Sequence, residues 1–237
     1  MRTATRLTPF SSRWVCVLSA VVLGSVLSHA QVATNTWLNF SGGNWSDASS
    51  WSNSQIPNAV ALFTQGSGYS VTQDVDLTLG TIRLWVLNGM YVVPAGRWLS
   101  VTNTGGVGGN NHNGLSLTHP SSMPLLLIDG GQVTNSGFHL GGTAQIIITN
   151  NGLMQVRNVG GTRIERNGSL TLYSGVWDHL PSLEIAFDGT AGAVANVNLL
   201  GGSALFRSSV SIGARETGVM TINGASVTNW KDLTVGA

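Results

Sequence analysis

Runs in which every second residue is apolar recur along this chain. In Met220-Thr221-Ile222 and Leu233-Thr234-Val235 the apolar residues alternate with threonine, the pattern of a strand with one buried and one solvated side. Ala195 to Gly213 aligns with Gly218 to Gly236 without a gap at an offset of 23 residues. Val197 then falls on Met220, Leu199 on Ile222, Val210 on Leu233 and Ile212 on Val235, while Gly201 falls on Gly224 and Gly213 on Gly236. The alignment puts Ile222 on an inward face.

An earlier copy stands at Leu127 to Asn135, which matches Thr221 to Asn229 in character and ends at Leu140-Gly141, one residue shorter. Degenerate copies follow at Ile146 to Gly152 and Ser169 to Gly175. The unit is strand, glycine or asparagine turn, strand, turn, strand. No such strand can bury its apolar side alone; stacking the units forms a continuous core, with Gly and Asn supplying positive φ at the corners. This predicts an all-β fold, a right-handed parallel β-helix of about nine coils and on the order of 40 Å in length. An antiparallel sandwich or barrel also shows short alternating strands; matched glycines at a fixed offset favour the solenoid.

The ends and the charge then add to this. Arg2, Arg6 and Arg13 precede an apolar run from Trp14 to Leu27 and then Ser28-His29-Ala30, the layout of a secretory leader over residues 1–30. The run is too short to span a bilayer as a helix. The remainder carries eight basic and ten acidic residues and no cysteine, since Cys16 lies in the leader. Such a chain lacks the clustered cations that bind nucleic acid or anionic lipid, and it cannot use disulfides. Only 9% of the residues are charged and 31 are Gly, a composition for stacked strands rather than for charge-driven disorder.

The units of the form Gly-x-Met-Thr-Ile-Asn-Gly-Ala-Ser-Val-Thr-Asn followed by Leu-Thr-Val-Gly resemble the repeats associated with bacterial autotransporter passengers and with surface proteins that carry a C-terminal sorting signal. The likeness is good over residues 195–237 and looser over about 79–190. Trp37, Gly43, Asn44-Trp45-Ser46-Asp47, Trp51 and Pro57 are similar to the tryptophan-rich opening segment that precedes such repeats. The resemblance implies residues 31–78 as a Trp-rich N-terminal segment and cap, residues 79–237 as the β-helical repeat region, and a non-catalytic spacer or adhesin. It implies secretion or display on a Gram-negative-type cell, with carbohydrate or cell-surface ligands as partners. Neither a membrane barrel nor a sorting helix appears before Ala237, where the chain stops at a unit boundary. The expectation is a fragment or a short member, with outer-membrane association supplied by a missing C-terminal region.

No catalytic, metal or cofactor residue is assigned from the sequence, and no cofactor is expected. Trp37, Trp45 and Trp51 suit either a sugar-stacking platform or a plug for the open end, and the plug is favoured because a solenoid needs one. Glu165, Arg166, Asp178, His179, Glu184 and Asp188 concentrate between Arg163 and Asp188. A polysaccharide-active lyase or hydrolase would use carboxylates beside arginines on one face; a solvated loop is the favoured reading, and Glu184 with Asp188 is the pair to test. His112, His119 and His139 have no second ligand at metal spacing. The glycines of Gly105 to Gly109 lack the helix and Lys-Ser or Lys-Thr ending of a phosphate loop. Asn39, Asn44 and Asn167 stand in Asn-x-Ser sequons and read as turn residues. Neither a Gly-x-Ser-x-Gly elbow nor a cysteine nucleophile is present.

Overall fold

The computed structural model describes residues 34–237 apart from 86–87, 103–113, 120–122, 158–161, 188–190, 214, 230 and 237. The leader, the Gly105 to Gly109 segment, His112 and Asp188 lie outside the described residues.

Three parallel sheets wind into a β-helix. The first sheet stacks Thr34–Thr36, Val60–Phe63, Thr81–Leu84, Leu115–His119, Phe138–Gly142, Thr162–Ile164, Leu183–Ile185, Val210–Ile212 and Leu233–Val235. The second stacks Gly43–Asn44, Ser70–Thr72, Met90–Pro94, Leu125–Asp129, Gln145–Thr149, Ser169–Leu172, Val194–Leu199 and Thr217–Ile222. The third stacks Leu77–Leu79, Trp98–Val101, Gln132–Asn135, Leu153–Val156, Val176–His179, Ser203–Phe206 and Ser226–Asn229. Nine strands in the first sheet make eight turns where the 23-residue unit suggested about nine, because coil length varies. Val60 pairs with Thr81 but Ile82 pairs with Leu115, so one coil is lengthened between the third and first sheets.

The sequence repeat is the physical register. Val197 pairs with Met220, Leu199 with Ile222, Val210 with Leu233 and Ile212 with Val235. Leu127 to Asn135 is in register with Thr221 to Asn229 through every intervening coil. Inward positions form unbroken columns, such as Val93, Ile128, Ile148, Leu172, Leu199 and Ile222. The first five of these are fully buried, and each large side chain so buried contributes about 1.5–3 kcal/mol from its apolar area.

The corners between the second and third sheets are short, two to four residues long, and rich in glycine and asparagine. Gly130, Asn150, Asn151, Gly175, Gly202 and Gly224 all take positive φ there. At Gly202, φ is +72° and a Cβ would lie 2.5 Å from the Gly175 carbonyl oxygen of the coil before. At that position the corners are stacked so closely that a side chain in place of Gly202 would push the coils apart.

At the start of the stack, Trp37, Trp45 and Trp51 are at most 1% exposed. Trp37 and Trp45 meet Trp51 edge-on at 5.0 and 4.6 Å, and all three lie 5.4–6.1 Å from Phe63. The Trp51 Nε1–H donates to the Trp45 carbonyl at 2.9 Å, and the Trp37 Nε1–H to the Asn39 carbonyl at 2.6 Å. Tyr91 packs 5.5 Å from Trp45 and donates to Gln73 Oε1 at 2.9 Å, while Gln73 Nε2 donates to the Val75 and Trp98 carbonyls. These rings close the core and present no face to a sugar, so they form a plug and not a stacking platform.

At the other end, Ile222 occupies its inward column but is 55% exposed, because among the described residues no further strand is stacked on Thr217–Ile222. Its position matches the expectation and its burial does not.

Candidate functional site

Charged side chains are scarce, and one set of them lies on the outer faces of the first and third sheets. The segment from Arg163 onward is not a solvated loop. It supplies Thr162–Ile164, Ser169–Leu172, Val176–His179 and Leu183–Ile185 to the three sheets, and strand alternation turns Arg163 and Glu184 outward between buried neighbours.

On the first sheet, Arg83, Ser116, His139, Arg163, Glu184 and Ser211 are consecutive partners in one outward row. Arg163 Nε donates to Glu184 at 2.9 Å across one strand spacing. The Arg163 guanidinium also lies 4.3 Å from the Phe187 ring, with Arg215 4.6 Å from the same ring. His139 Nε2 is 2.5 Å from Glu165 Oε1, and both residues are 7% exposed. His139 pairs with Arg163, so Glu165, two residues further on, returns to the same side one coil later. Gly141 makes that reach feasible, since a Cβ there would stand 3.2 Å from His139 Nε2. Further up the row, the Arg83 guanidinium lies 4.5 Å over the ring of Trp85, which is 41% exposed and 6.4 Å from His119.

On the third sheet, Asp178 accepts from Arg207 at 2.6 and 3.2 Å and faces Arg157 at 2.9 Å. Arg157, Asp178 and Arg207 come from three successive coils. Burial pushes the Asp178 carboxyl up, but the Arg207 hydrogen bond and the charges of Arg157 and Arg207 outweigh it, and the net is a lowered pKa. Asp178 is a clip across coils.

His179 points inward, fully buried, 5.5 Å from Trp177 and 6.4 Å from Phe206. Burial drives its pKa to about 3, against weaker upward pulls from the Ser182 backbone and Asp178. It is neutral at ordinary pH and serves the core as an aromatic side chain in the column of Val156 and Phe206.

The candidate residues therefore separate. Glu165 and Glu184 share the first sheet's outer face with Arg163, Asp178 belongs to the third sheet, and His179 lies in the core. Arg166 sits at positive φ on the corner after the Thr162–Ile164 strand, its N–H donating to Glu216 at 2.9 Å. Among the described residues no three of His, Cys, Asp and Glu gather as metal ligands. Sequence reasoning missed the His139–Glu165 pair, the Asp178 clip and the Arg83–Trp85 stack. The repeat alignment held the signal, because outward positions share its register, but only inward positions had been compared.

Fold and faces together define a β-helical repeat protein whose outer surface is laced by ion pairs across coils. No family model, curated protein or solved structure matches this chain.

Proposed function

We propose that this chain is an exported passenger-type protein, secreted or displayed at the surface of a Gram-negative-type cell, whose β-helix acts as a spacer or adhesive surface rather than as a catalyst. The observation that supports this reading is the use made of the carboxylates on the two charged faces: Glu165 is held by His139, Glu184 by Arg163, and Asp178 by Arg157 and Arg207. Each such pair joins neighbouring coils, as a rod requires. The resemblance of the repeats and of the leader-like first thirty residues supports export.

Expression of the full chain in a Gram-negative host tests it. The expected outcome is cleavage after Ala30, read by intact mass, with the product outside the cytoplasm. A cytoplasmic, uncleaved chain overturns the export half.

A second reading, a polysaccharide-active enzyme, is favoured by one arrangement: Glu165 and Glu184 on a single outer face in adjacent coils, with Arg163 on the Glu165 coil paired to Glu184. It requires reducing-sugar release that disappears in both Glu165→Gln and Glu184→Gln.

A further inference from the structure

The arginines on the charged faces differ in what holds them. Arg157, Arg163 and Arg207 are each joined to a carboxylate. Arg83 has no carboxylate partner among the described residues, and its Nε is buried without a hydrogen bond. Its guanidinium lies instead against Trp85, an indole 41% exposed. Arg215 also lacks a carboxylate, but its ring, Phe187, is shared with Arg163.

What adjoins Arg83 and Trp85 along the sheet matters as much. The next strand presents Ser116 and Thr118 outward, both part-exposed, and ends at part-exposed His119, whose ring stands 6.4 Å from Trp85 on the same wall; beyond it the Thr118 partner is Gly141, over which the His139 ring bends towards Glu165. Two tall walls, Arg83 with Trp85 and His139 with Glu165, thus stand two strand spacings apart, roughly 9–10 Å, with two small hydroxyl side chains between them. That width admits one chain of sugar rings. The hydroxyls match sugar hydroxyls, the indole offers an apolar face, and a planar guanidinium free of an internal partner matches a planar carboxylate.

We infer that Arg83, Trp85, Ser116 and Thr118 form a binding site for a carboxylated saccharide, a uronic acid residue of a polysaccharide chain. The site rests on the adhesive half of the proposed function and supplies its ligand class. Arg83 pairs with the sugar carboxylate, Trp85 packs on the ring, and the His139–Glu165 pair holds the opposite wall.

The experiment is calorimetric titration of the purified full chain with a uronate tetrasaccharide and with the same oligosaccharide after reduction of its carboxyls to alcohols. The uronate is expected to bind at least about tenfold more tightly than its reduced form, as a charge-assisted pair requires. Arg83→Lys and Trp85→Ala should each weaken uronate binding by about tenfold or more with thermal unfolding unchanged, because Lys keeps the charge but not the planar fork. Arg97→Ala, on the corner between Met90–Pro94 and Trp98–Val101, should bind as the parent does. Equal affinity for both oligosaccharides, no binding, full binding by Arg83→Lys, or equal loss in Arg97→Ala would each overturn the site. None of these outcomes touches the export reading, which leader cleavage tests separately.

Discussion

Trp37, Trp45 and Trp51 at the first coil are at most 1% exposed, whereas Ile222, Leu233 and Val235 at the last are 55%, 56% and 70% exposed. The same columns connect them. Trp37 lies beyond Phe63 on the column that runs through Leu84, Leu117, Leu140, Ile164, Ile185 and Ile212 to Val235. A column of stacked aliphatics buries every member except the one with no neighbour beyond it. Bulky rings turned edge to face solve that problem at the first coil, where three indoles cover an end that three aliphatic side chains would leave open. Position along the stack, rather than residue type, therefore sets what an inward side chain contributes.

Paired substitutions in one column probe this most strongly. Leu172→Asp, in the fully buried middle, should cost more than about 4 kcal/mol and leave the chain unfolded or aggregated, because an unpaired charge is buried there. Ile222→Asp, two coils later in that column, should cost about 1 kcal/mol or less, since water reaches the site. Denaturant unfolding of both compares them, and equal losses would break the positional argument. Trp51→Ala removes the indole that both other indoles meet edge-on and should cost about 3–5 kcal/mol; a loss under about 1 kcal/mol would mean that the plug is decorative.

The smallest effect belongs to the surface clip. Asp178→Asn should cost about 1–2 kcal/mol at neutral pH, reduced by the solvent that reaches Arg157 and Arg207. The folded carboxyl has a lowered pKa, so its contribution is fully present above the ordinary value near 3.8 and fades as pH falls through that value towards the folded one. Thermal unfolding should therefore differ between parent and variant at pH 7 and converge as pH falls below the lowered folded-state value. A constant difference across that range would remove Asp178 from the account.

Much of this architecture was legible because a β-helix writes its core twice, once in each strand's alternation and again in the coil offset. Val197 with Met220 and Ile212 with Val235 could be paired from the sequence alone, and positive-φ Gly213 and Gly236 marked the same corner in successive coils. The outer faces were harder to read. His139 and Glu165 are 26 residues apart in a coil step of 24, so their meeting depends on a register that no apolar pattern announces. Asp178 looked like part of a polar loop because its strand, Val176–His179, buries three of its four residues and so breaks the simple alternation. His179 shows the same limit: only burial makes an imidazole an aromatic core residue.

Amide hydrogen exchange along the whole chain tests the asymmetry of the two ends most directly. Protection in the first coil, around Trp37, Trp45 and Trp51, should approach that of the middle strands, while the strands Thr217–Ile222, Ser226–Asn229 and Leu233–Val235 exchange first and unzip coil by coil towards the centre. Equal protection at both ends, or faster exchange around the tryptophans than around Leu233, would contradict a stack that is closed by its indoles and open at its last coil.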